Sequence, residues 1–178
     1  KLVGAFALFG VAAYLICTGR TGKVARLLPV ALLTFLLSLL PVVVSRDSSS
    51  FLDSFLFSVN WHLTLESPHP SAAPPLGWLV NIVPFPIYSA SGLNIAASTN
   101  PLVYPVALPV AALLGYDALM KRSCQPRLLP VFWLVFVYGF FFVLPRKTQF
   151  IFYLLPAVPA ITLLVSYGIV QAFSHLSK

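Results

Sequence analysis

The sequence predicts an all-α polytopic membrane protein with about five transmembrane helices in a single membrane domain, residues 1–178, and three observations carry that expectation. Hydrophobic residues make up 59% of the chain and charged residues only 8%, whereas a soluble domain carries about a quarter charged residues. The apolar residues fall in separate runs of roughly 16 to 24, the length at which a helix crosses hydrocarbon with its own amides satisfied. The runs are continuous rather than alternating, which argues against a β-barrel.

A net charge of +7 would suggest nucleic acid in a soluble protein. Here the basic residues flank apolar runs, where they meet lipid headgroups and set orientation, so membrane lipid is an expected partner and nucleic acid is not. Cys17 and Cys124 fall at helix ends assigned to the cytoplasmic side and lack metal-ligand spacing, so no structural disulfide is expected. The sequence opens at Lys1, and its first run lacks the basic leader and cleavage site of a secretory signal, which suggests part of a longer protein.

The first span is residues 2–17, and the basic loop holding Arg20, Lys23 and Arg26 follows it; such a loop belongs in the cytoplasm. The second span, residues 27–45, therefore emerges outside at Arg46-Asp47-Ser48-Ser49-Ser50, a cluster whose side-chain oxygens can cap a new helix. This opens a long external loop, residues 46–100. Within residues 51–66, Leu52, Phe55, Leu56, Val59 and Leu63 recur at spacings of three and four, with Asp53, Asn60 and Thr64 on another face. That pattern predicts an amphipathic helix along the membrane surface.

Six prolines between Ser67 and Pro86 predict a rigid irregular loop, since each removes a donor and biases its predecessor away from helix. Trp78, Phe85 and Tyr88 suit the membrane interface. Residues 89–100 are small and polar, and Asn100-Pro101 opens the third span, residues 101–120. A second basic loop holds Lys121, Arg122 and Arg127; the fourth span is residues 128–144 and the fifth 150–173, joined by an outer turn, residues 145–149. Seven Lys/Arg then fall inside and four outside. The prolines within spans, such as Pro105, Pro109, Pro156 and Pro159, are expected to kink helices.

The candidate site lies in the polar external region. His62 and Glu66 share a helical face and His69 follows; zinc could be built from such a set, but prolines interrupt the helix, so hydrogen bonding or contact with a polar substrate is the expected role. No metal or cofactor is expected. Asp53 and Glu66 are thirteen residues apart and in no catalytic motif. Arg146 and Lys147 are two adjacent cations on the outer face, against the positive-inside tendency; a headgroup phosphate or the phosphate of a lipid-linked substrate would compensate them.

Three stretches together resemble one family. His69-Pro70-Ser71-Ala72-Ala73-Pro74-Pro75-Leu76-Gly77-Trp78 resembles the His-Pro and Trp signature in an external loop of protein O-mannosyltransferases; Ser98-Thr99-Asn100-Pro101-Leu102-Val103-Tyr104 is similar to the opening of that family's next helix; and residues 145–159 are similar to its Arg, Phe, Tyr, Leu-Pro-Ala segment. The resemblance implies the C-terminal part of a type C membrane glycosyltransferase fold, and transfer of mannose or another sugar from a polyprenyl-phosphate donor to Ser or Thr outside the cytoplasm. It implies that Arg146 and Lys147 hold the carrier phosphate, and that His62, Glu66, His69, Trp78 and Asn100 line or shape an external cavity. Family members carry their catalytic acidic residues in an N-terminal half to which no part of this chain corresponds, so a catalytic half or another membrane subunit is an expected partner. The expected setting is the plasma membrane or endoplasmic reticulum. A non-catalytic scaffold subunit of a larger complex is the rival reading; a small transporter ranks below both, because the last two spans carry no intramembrane charge.

Overall fold

The computed structural model describes residues 3–45, 48–144 and 146–176. In chain order it forms α1 (Val3–Cys17), α2 (Thr21–Ser45), α3 (Ser48–Thr64), α4 (Pro75–Leu79), a hairpin of β1 (Phe85–Ala90) and β2 (Leu93–Ala97), α5 (Ala107–Lys121), α6 (Leu129–Val137), α7 (Phe140–Val143) and α8 (Val158–Leu176). Among the described residues, three helical stretches are long and apolar enough to cross a membrane: Thr21–Pro41, Pro126–Val143 and Ile151–Ser174. Gly4–Cys17 is apolar but shorter.

The bundle is built by α1 against α6, with α8 packed on both α6 and α5. Small residues set these crossings. A Cβ at Gly10 would stand 2.9 Å from the Phe132 carbonyl oxygen and the Trp133 Cα, and one at Gly168 would stand 2.7 Å from Val110, so both helix pairs approach more closely than a larger residue permits. By contrast, α2 packs mainly on α1 and α3 among the described residues and exposes Leu32, Leu33, Leu36, Leu37 and Leu40, as suits a helix surrounded by lipid.

The proline-rich region between α3 and α5 is more ordered than its prolines predict. Pro75 occupies the start of α4, where a missing N–H costs nothing because the first amides of a helix have no intrahelical acceptor. The helix turns Trp78 inward: it is 0% exposed, its Nε1 donates to the Ala73 carbonyl at 2.8 Å, and its ring meets Tyr138, Phe141 and Tyr153. Trp78 is thus a core residue, which corrects its expected place at the membrane interface. Tyr138 donates to the Pro75 carbonyl at 2.9 Å, and Thr99 donates to the carbonyl of Trp78, so the cap is fastened to the bundle from both sides.

The hairpin is a second correction, because residues 85–97 contain strands where the irregular loop and the small, polar lead-in to the third span were expected. Tyr88 faces Ile95 and Ala90 faces Leu93 across the ladder, with a register shift between Pro86 and Tyr88. Gly92, at φ 83°, makes the turn between the strands.

Other boundaries move as well. Lys23 and Arg26 lie within the first turns of α2 rather than in a loop, α3 begins at Ser48 and ends at Thr64, and a turn with a short 3-10 helix precedes α5. The fourth apolar run is interrupted between α6 and α7 at Tyr138-Gly139, and the fifth begins as a 3-10 helix, Ile151–Ala157.

Cys17 and Cys124 form a disulfide, which overturns the expectation of unpaired thiols. Their Cα atoms are 6.0 Å apart, as the bridge requires, because α1 and α5 bring their C-terminal ends together. Disulfides persist in oxidising compartments whereas dense basic loops favour the cytoplasm, so at this end of the bundle the two rules point to opposite faces.

Two outcomes are expected. Truncating Trp78 to Ala should destabilise the detergent-solubilised protein by about 3–5 kcal/mol, the usual loss for a large buried aromatic, while Trp78→Phe costs less in a thermal melt. The purified protein should change mobility on a denaturing gel when reduced, and Cys17→Ser should abolish that change.

Candidate functional site: an apolar cavity with one buried guanidinium

The site forms where the loop after α3 meets the turn between α7 and α8. The Thr148 N–H donates to the Leu65 carbonyl at 3.2 Å, the Thr148 hydroxyl donates to the Ser67 carbonyl, and the Ala73 N–H donates to the Gln149 carbonyl at 2.9 Å. Gln149 then fixes the turn from within: its Nε2 donates at 3.0 Å to the carbonyls of both Phe141 and Arg146. Thr148 and Gln149 are both buried, and the Gln149 Oε1 has no hydrogen-bond partner among the described residues.

This turn carries Arg146 inward to 5% exposure. Its Nε donates to the Thr148 carbonyl at 2.5 Å and a terminal nitrogen to the Tyr153 hydroxyl at 2.6 Å. The guanidinium also lies 4.8 Å from the centroid of the Tyr153 ring and 5.9 Å from that of Trp61, over aromatic faces whose quadrupoles favour a cation. Burying this charge without such partners would be costly, so the geometry is held from several directions at once.

Arg146 and Tyr153 stand on the wall of a cavity of about 460 Å³. The remaining wall is apolar, with Phe6 from α1, Leu63 from α3, Phe85 and Ile87 from β1, Phe140 from α7 and Phe152 from the 3-10 helix among its residues. Arg146 is the only charged residue lining it among the described residues. Such a cavity matches an amphiphile: an apolar chain against the aromatic walls and an anionic group on the guanidinium. Among the described residues its wall holds no carboxylate.

The residues singled out from sequence are distributed around this cavity rather than gathered on it. Lys147 is 74% exposed and pairs at 3.1 Å with Glu66, itself 57% exposed, outside the cavity wall. His69 accepts from the Ser71 N–H through Nδ1 at 3.0 Å and packs on Phe150 and Phe85, the second of which does line the cavity. Trp78 lies behind the wall, against Phe141 and Tyr153. Asn100 accepts from the Leu102 N–H at 2.9 Å and shapes the turn before α5. His62 lies in α3 next to Leu63, and its side chain falls outside those described. Among the described residues, no group of three His, Cys, Asp or Glu is close enough together to hold a metal ion.

Sequence reasoning missed Tyr153 and Trp61 as partners of Arg146. No local signal marked them: Trp61 lies on α3, far from Arg146 in sequence, and Tyr153 lies on a 3-10 helix that the sequence reads as the start of the fifth span. Comparison with protein-family models, with curated proteins and with solved structures gave no match.

The two cations should respond differently to removal. Lys147→Ala takes away an exposed ion pair, worth at most about 1 kcal/mol. Arg146→Ala leaves the Thr148 carbonyl and the Tyr153 hydroxyl without their buried partner, and should lower stability by about 2 kcal/mol or more in a detergent melt.

Proposed function

We propose that this chain is the C-terminal portion, or a separately encoded half, of a membrane glycosyltransferase that moves mannose or another sugar from a polyprenyl-phosphate carrier to protein Ser or Thr outside the cytoplasm. The observation that carries the reading is the apolar cavity with Arg146 as its one charged residue among those described. Its volume of about 460 Å³ takes a headgroup and the first isoprene units, leaving the rest of the carrier chain in lipid. In this reading Arg146 binds the phosphate and stabilises it as the leaving group, and Lys147, on the same turn, adds to the positive field at the cavity's edge.

The chemistry is substitution at the sugar's anomeric carbon. The bond from that carbon to the phosphate oxygen breaks, the acceptor hydroxyl oxygen forms the new bond, and a base takes the hydroxyl proton. Among the described residues the wall holds no carboxylate, and in this reading the partner half supplies the base. The chain crosses the bilayer five times in this arrangement, adding α1 and α5 to the three long apolar stretches, with the external loop on the non-cytoplasmic side.

The second reading is a scaffold subunit that keeps the fold without turnover. It is favoured by the position of Glu66, whose carboxylate is committed to Lys147 at the surface.

Native mass spectrometry of protein purified gently from its own membrane tests the proposal. Retained polyprenyl phosphate, lost in Arg146→Gln, together with a partner supplying further helices, is the expected result. A chain carrying no such lipid, bound to an unrelated complex, would establish the scaffold instead.

A further inference from the structure

At the other end of the bundle a second cavity, of about 500 Å³, opens between α5 and α6 beside the disulfide. Leu119, Phe132, Val135 and Phe136 give it an apolar wall, Cys124 closes one side, and Arg122 is its only charged residue among those described. This end is strongly basic: Arg20, Lys23 and Arg26 follow Cys17, and Lys121, Arg122 and Arg127 flank Cys124.

The cations of the second group are not equivalent. Asp117 holds Lys121 at 2.6 Å and also pairs with Arg127, which in addition donates to the Tyr167 hydroxyl at 3.0 Å. One carboxylate thus engages two of the three, while the Arg122 side chain has no partner among the described residues. Arg122 also sits in the left-handed region, at φ 46°, as the C-cap of α5. That position favours glycine, yet here it presents an exposed cation to an apolar slot.

We propose that this cavity is a binding site for an anionic glycerophospholipid, with an acyl chain between α5 and α6 and the phosphate on Arg122. The excess of positive charge around the opening selects an anionic headgroup over a zwitterionic one, and the apolar slot requires a chain-bearing ligand rather than free phosphate. The site stands independently of any sugar transfer at the Arg146 cavity.

The test uses the whole protein, delipidated and titrated in nanodiscs with phosphatidylglycerol or with phosphatidylcholine of the same acyl chains, and bound lipid is counted by native mass spectrometry. Phosphatidylglycerol should be retained in preference to phosphatidylcholine. Arg122→Gly suits the left-handed backbone while deleting the charge, and should reduce that preference about fivefold. Val135→Trp, which fills the slot, should abolish the preferential retention of phosphatidylglycerol. Equal retention of the two lipids by the wild type, or an undiminished preference in Arg122→Gly, would overturn the proposal, as would retention of free inorganic phosphate in place of lipid.

Discussion

A guanidinium at 5% exposure needs partners to offset its lost hydration, and the region between α3 and α5 together with the turn before α8 is organised around meeting that demand for Arg146. Its acceptors come from its own turn and from the 3-10 helix that follows, but neither would hold position alone. The turn is pinned by the segment after α3, through the Leu65, Ser67 and Ala73 contacts, across sequence separations of about eighty residues. Gln149 closes the arrangement by tying the same turn to the Phe141 carbonyl near the end of the fourth apolar run. Order in one loop therefore depends on order in the other, which couples Arg146 to the docking of the whole cap.

The cap is held down by aromatic packing rather than by charge. From residue 67 to residue 116 the chain contains no Asp, Glu, Lys or Arg. Trp78 sits at the centre of Tyr138, Phe141 and Tyr153, and Phe85 brings the hairpin against Phe150 and Phe152. Edge-to-face pairs of this kind are directional, so they orient the rings as well as bury them. The same rings form or back the cavity wall, and the apolar character of the pocket follows from how the cap is attached.

Much of the helical framework was legible because it rests on local signals. Each long apolar run became helix, and the spacing of Leu52, Phe55, Leu56, Val59 and Leu63 gave α3 to within a few residues of its ends. Arg146 was visible as one of two adjacent cations in a short turn between apolar runs. What stayed hidden depends on distant contacts. The hairpin has a register shift beside Pro86 and few β-branched residues, so its pattern does not alternate cleanly. Trp78 has the composition of an interfacial residue and becomes a core one only because α4 folds back over the helix ends. Cys17 and Cys124 are 107 residues apart, and nothing near either predicts the other.

That bridge carries a rule of parity. Two residues joined through their side chains occupy the same face of a bilayer, so the chain between Cys17 and Cys124 crosses an even number of times. If α2 is one crossing, a return is obligatory before Cys124, within the stretch that holds α3 and α5. The Lys147–Glu66 pair imposes the same evenness on the interval between its two residues, in which Pro126–Val143 is long and apolar enough to cross. Two contacts made outside the hydrocarbon thereby count the crossings within it, whichever compartment lies on either side.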